Sequence, residues 1–225
     1  MYPGLQYSVG QVWRFAPMVD PLVSEFHSRD LDSIISHREF AAVNDWFSNT
    51  NRTFHIMRDH KQHGSAIPGE MFCKFLNHSY VVLNSSVNFL LKVVSDIFSF
   101  LAGMFGMRKN KLLKNEKKEN WIEEFKSILN LSNKTELDDV SKKKIDQTLL
   151  KSVIWPYAKN DSVIHDSYTC KIKRLKGSEM RPFPTRRLYG KYNFVGSNGG
   201  NITLQKDGPC PKECRPIEHQ NWILC

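Results

Sequence analysis

The chain has no long apolar run. Its longest uncharged stretch, residues 75–91, carries three Asn, a His and three Ser, and Lys92 and Asp96 follow it. A membrane span needs ~20 predominantly apolar residues, so membrane association is not expected. Zinc-finger, RRM and helix-turn-helix spacings are also missing. The formal net charge of +9 is spread over residues 109–118, 142–144, 171–176 and 181–187 with acidic residues interleaved. That pattern argues for solvated faces and a site for an anionic ligand rather than a nucleic-acid polymer. The first residues, Met1-Tyr2-Pro3-Gly4, lack the basic start and apolar stretch of a signal peptide.

What is present points to one sizeable α/β domain. The 225 residues are 40% hydrophobic and include 14 Phe, 7 Tyr and 5 Trp, enough to bury a core and too apolar for a disordered chain. Five cysteines occur, and Cys210, Cys214 and Cys225 crowd the C-terminus. Their C-x3-C spacing lacks a second ligand pair, which favours disulfides among Cys170, Cys210, Cys214 and Cys225 over a zinc knuckle. Seven Asn-x-Ser/Thr acceptors, at Asn51, Asn77, Asn84, Asn130, Asn133, Asn160 and Asn201, exceed the roughly two that composition alone would give. Together these features lean toward the secretory pathway or an extracellular setting.

Along the chain, Pro3, Pro17 and Pro21 predict an extended, docked segment over residues 1–22. A strand is expected at 23–27, delivering Arg29-Asp30-Leu31-Asp32-Ser33 at its C-terminal end, where open α/β sheets place ligands. Ser36 and Glu39 form a capping box that opens a helix with Phe40, Val43, Trp46 and Phe47 on its core face. Another strand, 53–57, leads into Arg58-Asp59-His60 and His63. An amphipathic helix is expected at 121–129, a second one from about 138 until Pro156 stops it, and a last core strand at 163–165.

Two carboxylates one residue apart can chelate a hard divalent cation, because Mg2+ and Mn2+ favour oxygen ligands. Asp30 and Asp32 have that spacing, with Arg29 beside them and a capped helix N-terminus to follow. Arg29 can pair with phosphate oxygens or form a salt bridge with Asp30 or Glu39. His60, or Asp59, can act as acid–base partner or hold hydroxyls. A surface turn remains the plain alternative for Asp30 and Asp32, a hydrogen-bonded core histidine for His165, and a surface carboxylate for Asp146.

These motifs in order, Ser28-Arg29-Asp30-Leu31-Asp32-Ser33, Phe54-His55-Ile56-Met57-Arg58-Asp59-His60, Gly103-Met104-Phe105-Gly106, Asp146-Gln147, His165-Asp166-Ser167-Tyr168 with Cys170, Arg181-Pro182-Phe183-Pro184 and Cys210-Pro211 with Cys214-Arg215-Pro216, resemble a family of GT-A-type glycosyltransferase-like proteins. The resemblance implies a GT-A-like, Rossmann-like mixed sheet with flanking helices, its N-terminal half reduced or missing because only 29 residues precede Asp30. It further implies a nucleotide-sugar donor and a glycan or other acceptor. A divalent cation, Mn2+ or Mg2+, would sit on Asp30, Asp32 and His165, with Arg29 and Arg58 beside the donor and Asp146 as acceptor-activating base. Residues 70–102 are expected to be an apolar insertion, untranslated sequence carried into a gene model, that splits one glycine-rich loop. The predicted organisation is therefore 1–69 and 103–200 as two parts of one GT-A-like domain, 70–102 as the insertion, and 201–225 as a cysteine-rich tail.

Overall fold

A computed structural model of the chain describes residues 10–30, 33–61, 79–83, 105–109, 123, 145–146, 149–170, 177–187, 194–197 and 208–225. Apart from Glu123, which is helical and exposed, the expected helix at 121–129 lies outside these residues, as do the sequons at Asn77, Asn84, Asn130, Asn133 and Asn201 and the residues Asp32, His63 and Cys73.

The architecture is α/β around one mixed sheet. β1 (Glu25–Asp30), β2 (Phe54–Arg58), β3 (Ser79–Leu83), β4 (Phe105–Arg108), β5 (Ser162–Asp166) and β6 (Glu179–Arg181) lie in the order β3-β1-β4-β2-β5-β6. β4 is antiparallel to β1 and to β2, and β5 and β6 are parallel to β2. Hence β1, β2, β5 and β6 all run one way, and their C-terminal ends share one edge of the sheet. β3, which comes from the expected insertion, pairs with β1 at the border of the sheet. The other five strands remain contiguous without it.

The two faces of the sheet are built differently. Side chains alternate along each strand, and on one face Phe26, Phe54, Ile56, Phe105, Met107 and Ile164 form an apolar layer. It is covered by Val12, Phe15 and Met18 of a 3-10 segment, Gly10–Met18, and by Leu149, Leu150 and Ile154 of the second helical region. Burying such side chains is worth ~1.5–3 kcal/mol each. Pro17 sits inside the 3-10 segment, so residues 10–18 of the proline-punctuated stretch are docked and helical rather than extended.

The opposite face lies under α1 (His37–Asn49). Its N-cap is Ser36, whose Oγ accepts a hydrogen bond from the Glu39 amide as the capping box predicts. The buried side of α1 keeps Trp46 and Val43 of the predicted face but not Phe40. Arg38, Glu39, Ala42 and Trp46 point inward, whereas Phe40 is 66% exposed. The charged pair faces in because partners await it, Asp59 for Arg38 and Arg29 for Glu39. Arg108 closes the other end of α1, donating to the carbonyls of Trp46, Phe47 and Thr50, where a cation also suits the helix dipole.

Pro156 does not stop the second helix. It lies in the first turn of α2 (Trp155–Ala158), directly after a π-helical turn, Leu150–Ile154. The wider turn lets the Trp155 amide reach Leu150 O, and a proline without N–H is tolerated in a first turn. The strand limits shift by up to three residues, so that β1 reaches Asp30 itself. Disulfides Cys170–Cys214 and Cys210–Cys225 cross-link the C-terminal tail. No helix among the described residues is long and apolar enough to cross a membrane.

Candidate functional site

Asp30 ends β1 at the edge where the four codirectional strands finish, on the apolar face. Its Oδ1 lies 2.8 Å from Arg14 Nη2. The same guanidinium stands 3.8 Å from Asp146 Oδ2. Two residues singled out from the sequence are thus brought to one arginine. Asp30, Arg14 and Asp146 are 2%, 2% and 0% exposed. Burial raises the Asp30 pKa above its ordinary value, and Arg14 and Arg29 work against that shift. Carboxylate oxygens are the ligand type that hard divalent cations of the Mg2+ or Mn2+ class favour.

His165 does not belong to this set. In register it stands beside Met57, while Asp166 stands beside Arg58, so alternation puts His165 on the face opposite Asp30. Its Nδ1 lies 2.8 Å from His55 Nε2 and its Nε2 lies 3.1 Å from Asp45 Oδ2. Arg29 also faces the other side. It donates to both Glu39 oxygens, at 3.0 and 3.4 Å, and to Ser33 O at 2.7 Å, so it is the salt bridge with Glu39 rather than a phosphate ligand.

Asp59 is corrected from acid–base candidate to structural centre. Its carboxylate takes a bidentate contact from Arg38, at 2.8 and 2.9 Å, together with Arg187, Ser167 Oγ and the Val195 amide. Burial would raise its pKa, but Arg187 and Arg38 hold it at about 2. With its oxygens committed to donors it has no capacity to take a proton near neutrality. His60 packs on the Phe194 ring with centroids 4.7 Å apart. Arg58 is buried, 3.5 Å from Asp166 and 3.3 Å from Thr169 Oγ1, and thus already engaged.

Asp166, Cys170 and Cys214 are, among the described residues, the one trio of ligand-type side chains whose donor atoms lie within 4.8 Å of one another. Both sulfurs are joined in the disulfide, and Asp166 Oδ1 accepts from the Tyr168 and Thr169 amides. In the oxidised protein the trio therefore lacks the thiolates a metal would need.

Sequence reasoning missed a buried row of histidines on the α1 face. His27, Gly106 and His55 are in register across β1, β4 and β2. A Cβ on Gly106 would lie 2.5 Å from His27 Cδ2 and 2.8 Å from Trp46 Cζ3. Only glycine lets the two imidazoles meet over β4, at 3.0 Å. The ring of Trp46 stacks on His55, centroids 5.2 Å apart. Period-two alternation from His27 and from His55 was visible in the sequence; the strand order that aligns them was not.

No protein-family model, curated protein or solved structure matches this chain.

Proposed function

We propose that the chain is a glycosyltransferase-like protein that binds a nucleotide sugar through a divalent cation and transfers the sugar to a glycan or other acceptor. One observation carries this reading. Asp30 and Asp146, far apart in sequence, converge on Arg14 at the edge where codirectional strands end, the place where α/β sheets bind ligands. Asp30 and Asp32 would hold the cation, which when bound neutralises the charge of the diphosphate leaving group. Arg14 holds the two carboxylates in place and limits their mutual repulsion. Asp146 is the base that accepts the acceptor hydroxyl proton.

The rival reading is a non-catalytic secreted carbohydrate-binding or interaction protein on a degenerate or truncated glycosyltransferase scaffold. It is favoured by the sealing of Asp30 and Asp146, which are 2% and 0% exposed. Both readings place the chain in the secretory pathway, supported by the two disulfides and by the exposure of Asn51 and Asn160. These two acceptors precede β2 and β5, at the end of the sheet remote from Asp30, so glycans there would leave the site clear.

The test is calorimetric titration of the intact chain with nucleoside diphosphates, with and without Mn2+, beside Asp30→Ala and Asp32→Ala variants. Manganese-dependent binding that both variants lose supports the transferase reading. Absence of binding to the unaltered protein supports the rival.

A further inference from the structure

The histidines on the α1 face form a continuous chain with a fixed end. His27 Nε2 is 3.0 Å from His55 Nδ1, His55 Nε2 is 2.8 Å from His165 Nδ1, and His165 Nε2 is 3.1 Å from Asp45 Oδ2. Asp45 also accepts from Arg181 Nη1 at 2.8 Å and from Asn49, so it is a carboxylate that only accepts. His165 must then carry its proton on Nε2, which leaves Nδ1 as an acceptor for His55 Nε2–H. The same step repeats at His55 and makes His27 the donor through Nε2. The last atom, His27 Nδ1, is buried and has no hydrogen-bond partner among the described residues. A lone pair there is less costly than an N–H donor without an acceptor.

We infer that His27, His55 and His165 are locked by Asp45 as three neutral Nε2–H tautomers, forming a directional clamp between α1 and the sheet that holds only while all three are uncharged. A proton can enter only at His27 Nδ1. Passing each Nε2–H proton to the next Nδ1 would move the charge to His165 beside Asp45, one proton in and no electrons transferred. A charged His27 would have one imidazole as hydrogen-bond neighbour, a charged His55 two imidazoles, and a charged His165 an imidazole and a carboxylate, and the surrounding charges are mostly cationic. Arg29 on β1, Arg108 on β4, Arg38 on α1 and Arg181 on β6 face the chain, against Asp45 on α1. Burial and these arginines hold His27 down to about 3 and His55 and His165 below the ordinary histidine value, Asp45 alone opposing the shift at His165.

The clamp thus fails in acid by unfolding. The unfolded chain binds protons on these histidines below ~6.5 while the folded chain does not, so stability falls with pH below that value. This inference is independent of the proposed transferase chemistry, since Asp30 lies on the other face.

The direct test is long-range 1H–15N NMR of the labelled intact chain. Three histidines with protonated Nε2 and bare Nδ1, unchanged from pH 7.5 to 5.5, are expected. Any of the three with a protonated Nδ1, or titrating near 6.5, overturns the inference. In Asp45→Ala the tautomers should mix; their persistence removes Asp45 as the anchor. Urea titrations of the unaltered protein and His27→Gln between pH 7.5 and 5 supply a second reading. The variant should take up about one proton fewer on unfolding, and an identical pH slope contradicts the clamp. If His27→Gln does not fold, the NMR result decides.

Discussion

Asp30 and Asp59 occupy equivalent places, each at the C-terminal end of a codirectional strand and each buried against arginine, yet their surroundings differ in kind. Asp59 receives Arg38, Arg187, Ser167 and the Val195 amide. Asp30 has, among the described residues, Arg14 as its one side-chain donor, and that arginine also faces Asp146. Burial wins at Asp30 and raises its pKa, while the two arginines win at Asp59 and bring it to about 2. A carboxylate saturated by donors holds a structure together. In the proposed reading Asp30, with fewer donors, is left to hold a cation, and the difference separates scaffold from candidate site.

The strongest way to break this comparison is to neutralise each carboxylate. Asp59→Asn should cost ~3–5 kcal/mol, the usual loss when a buried ion pair forfeits one partner, because two buried guanidiniums lose their anion. Asp30→Asn should cost no more than about 1 kcal/mol, since Arg14 retains Asp146 and burial already disfavours the Asp30 charge. Urea denaturation of both variants checks the order, and equal losses would end the distinction.

The tail that packs behind Asp59 should matter next. The carbonyl oxygen of Ser167, an Asp59 donor, lies 3.2 Å from Cys210 Sγ of the disulfide. Replacing Cys210 and Cys225 by serine should lower stability by ~2–4 kcal/mol, read by thermal unfolding against the unaltered protein. Gly106→Ala sharpens the contrast between faces. Crowding His27 and Trp46 should cost ~1–3 kcal/mol and disturb α1 without weakening cation binding on the Asp30 face, as near-UV circular dichroism and metal titration would show.

The smallest effect is in titration. Asp59 lies below its ordinary 3.8, so its stabilisation is fully present above that pH and is lost as pH falls toward 2. Asp30 is raised above 3.8, so it has the opposite sign and opposes folding as pH rises through its folded pKa. Carboxyl 13C titration should find Asp30 protonating before Asp59 as acid is added.

Much of the framework was legible in the sequence because it rests on local signals. Ser36 and Glu39 place the start of α1, and strand alternation places Asp30, Arg58 and Asp166 at chain ends that become one edge. The cysteine spacing pointed to cross-links that the structure contains. What was not legible depends on long-range pairing. Arg14 sits in a proline-punctuated segment with nothing local to announce its carboxylate partners. His165 reads as a ligand beside Asp30 until the parallel register of β2 and β5 puts it on the opposite face. Hydrophobic periodicity placed Trp46 inward on α1 but not Arg38 and Glu39, which turn in because they find partners there, Arg38 with Asp59 and Glu39 with Arg29.

The central claim is the proposal that Asp30 and Asp32 hold a hard divalent cation at the edge where Asp146 also converges. Electron paramagnetic resonance titration of Mn2+ into the unaltered chain, Asp30→Asn and Asp32→Asn tests it most directly. The account predicts bound Mn2+ in the unaltered protein and at least a tenfold weaker affinity, ~1.4 kcal/mol, in each variant that remains folded. Failure of the unaltered protein to bind Mn2+, or equal binding in all three, would contradict it.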